Sequence, residues 1–191
     1  MTVLEMSEWP PSTAAAAASA AREAGAGAWE FASLVRQHQA MVFSVAWHFL
    51  RDRALAEELA QEVFLSLHQH LAALESPEHV QFWLRKVTAN RALDVVRRRQ
   101  RRPMVSLQAV PEPVAAAPTS DPMLGETLRR LVATLPAKAR MIVILRYQED
   151  LDPAEIAAVL SIPLGTVKSQ LQRALALLRA KLSRGHGERI L

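Results

Sequence analysis

The sequence contains no cysteine among its 191 residues, which excludes disulfide bonds, thiolate metal ligands and thiol nucleophiles. It also has no apolar run near the roughly 20 residues that a membrane-spanning helix needs. The first 28 residues lack the basic-then-apolar order of a secretory signal. We therefore expect a cytoplasmic protein that is not inserted into a membrane.

Strand patterns and enzyme motifs are also missing from the sequence. No segment alternates apolar and polar residues for the length of a strand, so the expected fold is all-α. There is no nucleophile–base arrangement and no glycine-rich phosphate loop, so we predict no catalytic residues, no cofactor and no small-molecule substrate. His68 and His70 stand two positions apart without a carboxylate frame, which argues against a metal site.

Positive charge is concentrated in segments rather than abundant in total. The net charge is only +4, whereas the isoelectric point is about 10.1. The segment 97–102 holds five arginines in six positions, more than are needed to stabilise the carboxyl terminus of a helix. Uneven charge of this kind favours an anionic partner such as a nucleic acid.

Composition divides the chain into two helical domains, a linker and two tails. Residues 1–28 are rich in Ala, Ser, Pro and Gly, which predicts a disordered tail. Repeated prolines between 103 and 123 predict a flexible, semi-extended linker. The expected domains cover residues 29–102 and 124–182, and residues 183–191 form a second tail.

The first domain has the pattern of a helical bundle. Apolar residues from Phe31 to Phe49 recur at steps of three and four, which places them on one helical face. Asp52 is a candidate N-cap for a second helix, and Ser76 followed by proline begins a third. On the third helix we expect Trp83 in the core, whereas Phe82 suits the core and base stacking about equally.

The second domain has the layout of a helix-turn-helix. Asp152-Pro153-Ala154-Glu155 combines an N-cap, a first-turn proline and the acidic third position of a capping box. A turn with Pro163 and Gly165 then leads to a helix with an apolar stripe from Val167 to Leu178. Its polar side chains could read DNA, or they could be the solvated face of an ordinary bundle helix. The pattern favours DNA and leaves both interpretations open.

Two sets of motifs resemble the extracytoplasmic-function (ECF) subfamily of sigma-70-family RNA polymerase sigma factors. In the second domain, the segments LP (135–136), LRY (145–147), AEIA (154–157) and GTVKS (165–169), with Arg140 and Arg173, are similar to the family's promoter-reading carboxyl-terminal domain. In the first domain, AEELAQEVF (56–64) and FWLRKVTANRALD (82–94) are similar to two further family segments. The motifs occur in family order from about residue 29 to residue 182.

The resemblance implies an initiation subunit that brings core RNA polymerase to promoter DNA and helps to melt it. The second domain would read the upstream, minus-thirty-five element. The residues implied as its contacts are Thr166, Lys168, Ser169, Gln170, Gln172 and Arg173. Family members often have arginine at the position of Gln170, and glutamine suits recognition of adenine.

The first domain would bind the polymerase and the downstream, minus-ten element. The polymerase patch implied by the resemblance consists of Glu57, Glu58, Gln61, Glu62 and Phe64. The turn before the third helix would capture an extruded base, and basic side chains would hold the phosphates of the melted strand. The residues assigned to melting are Ser76, Glu78, His79, Phe82, Arg85, Lys86, Asn90, Arg91, Arg97 and Arg98.

Two alternatives and one further partner remain open at the level of sequence. The protein could be a stand-alone helix-turn-helix regulator, or a polymerase-binding scaffold whose basic face is incidental. An anti-sigma factor is a possible partner, because the family is commonly held inactive by one that masks both domains. The linker would permit both a compact inhibited state and an extended state on the promoter.

Overall fold

The computed structural model describes residues 31–101 and 122–187, and all the regular secondary structure in these residues is helical. The elements are α1 (Phe31–Leu50), α2 (Arg53–His70), a 3-10 turn (Leu71–Ala73), α3 (Pro77–Arg101), α4 (Pro122–Ala133), α5 (Ala137–Tyr147), α6 (Pro153–Leu160) and α7 (Leu164–Gly187). The predicted all-α fold is confirmed. The predicted tail of residues 1–28, nearly all of the predicted linker and the last four residues lie outside the described part of the chain.

The first two predicted helix starts are formed as the sequence indicates. The Asp52 carboxylate accepts a hydrogen bond from the Leu55 amide at 3.1 Å, at the start of α2. The Ser76 hydroxyl accepts one from the His79 amide at 3.1 Å, at the start of α3. Both side chains satisfy amides that have no partner within their own helix, which fixes where the helices begin.

Helices α1, α2 and α3 pack around one apolar core, as their periodicity predicts. Its largest fully buried side chains in these helices are Val42, Val45, Phe49, Val63, Leu67, Val80 and Leu84. Trp83 packs against this core, in agreement with the expectation, and its ring centroid lies 5.7 Å from that of His70. The bundle thereby holds the exposed faces of α2 and α3 in fixed positions.

The helix-turn-helix is formed by α6, a three-residue turn and α7. The Asp152 carboxylate accepts bonds from the amides of Ala154 and Glu155 at 2.7 and 2.8 Å. The Glu155 carboxylate accepts the Asp152 amide at 2.7 Å, which completes the predicted capping box. Ser161 ends α6 in the left-handed conformation, with φ of 50°, and so redirects the chain toward α7.

The two helical domains are packed against each other. Helix α6 lies against α3, and α5 lies against both α1 and α3. Met141, Ile142 and Leu145 of α5 are fully buried and belong to the same continuous core cluster as the first domain. In the described residues the two domains are therefore docked. This is the compact arrangement, and not the extended one, of the two that the linker was expected to permit.

Candidate nucleic-acid and polymerase interfaces

Helix α7 carries the side chains predicted to read the upstream element. Val167 and Ala174 point into the core, together with Leu178, so that the polar side of the helix faces outward. The predicted contacts Thr166, Lys168, Gln172 and Arg173 are exposed, whereas Ser169 and Gln170 are half-buried. The structure therefore brings all six predicted residues onto the first turns of one helix.

The start of α7 is accessible to a large ligand. A side chain added at Gly165 would meet nothing within 4 Å, so the backbone there is open to close approach. The Thr166 amide donates to the carbonyl of Pro163 at 2.8 Å, and the Ser169 hydroxyl donates to that of Thr166 at 3.1 Å. In the described residues, Lys168 and Arg173 form no ion pair, so both charges are available for phosphates.

The residues predicted to handle the melted strand all lie on α3 and its preceding turn. Lys86 places its ammonium group 5.9 Å from the ring centroid of Phe82, which packs partly against the core. Arg97 is paired with Asp94 at 2.9 Å, and Arg98 is exposed. Ser76 serves as the helix cap, and in the first turn Glu78 is exposed and His79 half-buried. Asn90 is half-buried about three turns further along α3.

The predicted polymerase patch forms an exposed face on α2. Glu57, Glu58, Gln61 and Glu62 are exposed, whereas Phe64 packs partly against the core. Glu62 is joined to Arg91 of α3 by an ion pair of 2.7 Å. The acidic patch and the basic face of α3 therefore adjoin, so that a partner on one patch lies next to a partner on the other.

Arg85, which is predicted to bind DNA, does not lie on an open surface of α3. The Nε atom of Arg85 lies 3.4 Å from Oε2 of Glu149, which belongs to the second domain. Their side chains are only 18% and 8% exposed. In this arrangement Arg85 lies within the contact between the domains rather than on an open surface.

Three polar contacts between the domains were not anticipated from the sequence. Besides the Arg85–Glu149 pair, Arg140 donates to the backbone carbonyl of Phe49 at 3.0 Å. Gln148 donates to the Ser44 hydroxyl, and its amide nitrogen lies 3.1 Å from Nδ1 of His48. Arg140 was noted as a family residue, but no sequence signal connects it with Phe49, 91 residues away in the chain.

Burial shifts the pKa values of His48, His38 and Glu149, which lie near this contact. Burial lowers the pKa of the His48 imidazole, with the cations Arg51 and Arg129 acting in the same direction against a bond to the Ser44 carbonyl. Burial likewise lowers the pKa of His38, and Arg85 adds to the effect. Burial raises the pKa of the Glu149 carboxyl, outweighing the opposite pull of Arg85. The contact between the domains thus holds groups whose charged forms are disfavoured.

Comparison with known proteins decides between the open interpretations. Family models for Sigma-70 region 2 and for Sigma-70, region 4 match residues 34–102 and 125–178. The ECF RNA polymerase sigma factor SigE of Mycolicibacterium smegmatis is 32% identical over 194 residues, which cover 97% of this chain and 73% of SigE. The chain belongs to the ECF subfamily of sigma-70 factors. It is therefore a sigma factor that directs RNA polymerase to promoters, and not a stand-alone regulator.

A further relative agrees with this assignment, and two solved structures share the fold. The RNA polymerase sigma-E factor of Streptomyces coelicolor is 31% identical over 158 residues, covering 80% of this chain and 86% of that protein. The sigma factor RpoE, solved with the anti-sigma factor NepR from Bartonella quintana, shares the fold with a TM-score of 0.66 at 21% identity over 81% of this chain and 97% of its own. CnrH, solved with the cytosolic domain of CnrY, shares the fold with a TM-score of 0.61 at 20% identity. The match covers 87% of this chain and 97% of CnrH.

The described residues show neither a membrane span nor a metal cluster. No helix among residues 31–101 and 122–187 is long and apolar enough to cross a bilayer. Nor does that part of the chain bring three His, Cys, Asp or Glu side chains together as metal ligands.

Proposed function

We propose that the two domains of this sigma factor divide promoter recognition between them. Residues 29–102 bind core polymerase and the minus-ten element, and residues 124–182 bind the minus-thirty-five element. The observation that carries this proposal is the order of the two family matches, region 2 at 34–102 and region 4 at 125–178. The protein acts in the cytoplasm as a non-catalytic subunit, because the polymerase supplies the active site.

The upstream element is read by the outward face of α7. Lys168 and Arg173 neutralise DNA phosphates, while Thr166 and Ser169 add hydroxyl groups that can donate to the DNA backbone. Gln170 and Gln172 have amide groups that can bond two adjacent atoms on the major-groove edge of adenine. The exposed start of α7 at Gly165 supports this docking, since the backbone can approach a phosphate there.

The downstream element is held by α3 and the turn that precedes it. Unstacking a base costs a few kcal/mol, so a melted strand needs a pocket for the base and cations for its phosphates. The turn with Ser76, Glu78 and His79 provides the place for the base. The phosphates are held by the basic and polar residues Arg85, Lys86, Asn90, Arg91, Arg97 and Arg98, next to Phe82.

Core polymerase binds the acidic face of α2. Exposed carboxylates at Glu57, Glu58 and Glu62, with Gln61 and Phe64 beside them, suit a basic surface of the partner. The ion pair between Glu62 and Arg91 supports a joint surface, because it links this face to the DNA-binding side of α3. An anti-sigma factor is a further proposed partner, supported by the two fold relatives that were solved with such factors.

Run-off transcription with purified core polymerase on a promoter library tests the proposed function. We expect initiation at a defined subset of promoters only when the protein is added. Glu62→Lys should abolish this stimulation without reducing DNA binding by the protein alone. A protein that binds DNA tightly but directs no initiation on any template would contradict the proposal.

A further inference from the structure

A cavity of about 400 Å³ lies where α4, α5 and α7 meet the end of α1. Its walls are mostly apolar, and the side chains that form them are Leu128, Val132, Val143, Ile144, Leu175 and Leu178. Small-molecule sites in proteins are concave, measure about 300–1,000 Å³ and have mostly apolar walls with a few placed polar groups. None of the described residues that line this cavity is among those assigned to DNA or polymerase, so the proposed function leaves it unused.

The polar groups of the cavity are positively charged or neutral. Two arginines line it, Arg51 just after α1 and Arg129 on α4, together with His48, Tyr147 and Gln148. Both arginines lie near enough to the His48 imidazole to lower its pKa, in addition to the larger effect of burial. No acidic side chain is found among the described residues that line the cavity. The cavity therefore attracts an anion and repels a cation.

His48 has one ring nitrogen available to such an anion. Its Nδ1 atom lies 2.8 Å from the Ser44 carbonyl, which can only accept, so Nδ1 carries the proton of the neutral ring. Within the described part of the chain, the contacts of the imidazole with Ser44 and Gln148 are all made at Nδ1. Nε2 is then the nitrogen left for the cavity, and it becomes a donor when the ring is protonated.

We propose that this cavity binds a small amphiphile with a single carboxylate and an unbranched apolar chain, of the kind represented by a medium-chain fatty acid. The chain lies against the leucine, valine and isoleucine side chains, and its burial supplies most of the affinity. The carboxylate pairs with Arg51 and Arg129, because the planar donors of a guanidinium match two carboxylate oxygens. A ligand that is polar throughout is excluded, since the apolar walls would leave its polar groups without partners. This site is additional to promoter recognition and does not depend on it.

Isothermal titration calorimetry of the wild-type full chain with sodium decanoate tests the site. We expect saturable one-to-one binding, and binding of octanoate weaker by about fifteenfold, since two fewer methylene groups are buried. Decyltrimethylammonium is the matched ligand, because it has the same apolar chain with a positive end. It should bind at least about tenfold more weakly than decanoate, since the arginines repel it.

Removing one cation from the cavity provides the second arm. Arg129→Gln should weaken decanoate binding by about tenfold or more, because a charged hydrogen-bond partner is lost. Arg130→Gln is the matched control, since Arg130 is the next residue on α4, is exposed and is not among the cavity-lining residues. It should leave the affinity unchanged within about twofold, as expected for a charge screened by solvent. Far-UV circular dichroism verifies that both variants are folded.

Proton uptake distinguishes a carboxylate beside His48 from simple apolar binding. The charged and titratable groups that share the cavity with His48 are Arg51, Arg129 of α4 and Tyr147 of α5, and histidine is the type that changes charge near neutral pH. A bound carboxylate favours the protonated imidazole, so decanoate affinity should rise as the pH falls from about 8 to about 6. Calorimetry in buffers of different ionisation enthalpy should show protons taken up on binding. His48→Gln should lose this uptake while it still binds decanoate at about pH 8.

Several results would overturn the proposed ligand site. These are absence of decanoate binding at any pH, equal affinities for decanoate and decyltrimethylammonium, and an equal loss for Arg129→Gln and Arg130→Gln. Equal proton uptake by wild type and His48→Gln would overturn the placement of the carboxylate beside His48. Should Arg129→Gln lose its helices, the two ligands of opposite charge still decide on the wild-type protein. Failure of the proposed function has a different signature, because run-off transcription by wild type is measured without the ligand.

Discussion

At the residue scale, Gln170 stands out, because the family resemblance implies arginine at this position. An arginine there would combine charge with base contact, whereas glutamine keeps only the hydrogen bonds. Gln170 is half-buried on α7, next to the exposed Lys168 and not far from Arg173. Under the proposed function, the helix would separate two tasks, with cations for affinity and amides for sequence.

Replacing Lys168 with alanine should weaken binding to every upstream element by a similar factor. One phosphate contact is lost, so the slope of log affinity against log salt should decrease by about one unit. Fluorescence anisotropy at several salt concentrations measures both quantities. Lys138→Ala, which removes the same charge from an exposed position on α5, serves as the control. An equal change of slope for Lys138→Ala would argue against a phosphate contact at Lys168.

Replacing Gln170 with alanine should change which base is preferred rather than affinity for all sequences. A paired amide contact to a base contributes about 1–3 kcal/mol of discrimination, so preference at one position of the upstream element should largely disappear. Sequencing of DNA selected from a randomised pool by wild type and variant measures this. A uniform loss across the pool would show that Gln170 does not read a base.

At the scale of elements, helices α2, α3 and α6 begin where a short polar side chain replaces a missing backbone partner. Asp52, Ser76 and Asp152 were predicted as caps, and all three accept the expected amide bonds. These interactions lie within a few residues of sequence, which is why the pattern alone predicts them. The arrangement matters most at α6, whose start determines how the following turn presents α7.

Replacing Asp152 with alanine should lower the free energy of unfolding by about 1 kcal/mol, because three bonds of the capping box are lost or weakened. Urea denaturation followed by circular dichroism measures the change. Asp94→Ala is the control, since its ion pair with Arg97 is on the surface and contributes little. Equal destabilisation by the two variants would mean that the capping box does not stabilise α6.

At the scale of the whole molecule, the docked domains bury groups that change charge near neutral pH. His48 and His38 both have a lowered pKa in the folded protein, caused first by burial. The unfolded chain therefore binds protons more readily than the folded one between the folded pKa and the ordinary value of 6.5. The neutral histidines contribute fully to the free energy of unfolding above pH 6.5. This contribution is lost as the pH falls from 6.5 through the lowered pKa of the folded state. Glu149, with a raised pKa, acts in the opposite direction at lower pH.

Acidification from about pH 7.5 to about pH 5.5 should therefore reduce the stability of the docked protein through His48. His48→Gln keeps a polar side chain but cannot be protonated, so its loss of unfolding free energy over this range should be smaller. Urea denaturation of both proteins at both pH values measures the difference, in which the contributions of His38 and Glu149 largely cancel. Identical pH dependence in both proteins would show that His48 is not a source of the effect.

The sequence by itself determined the helices, their caps and the family, because these depend on neighbours three or four residues apart and on short motifs. The six residues of α7 and the acidic face of α2 could be predicted for the same reason, and their roles remain predictions. Only the tertiary structure decided that the two domains are docked and that Glu149 meets Arg85, 64 residues earlier in the chain. Such contacts depend on how apolar surfaces fit together, and no local pattern of residues encodes that fit.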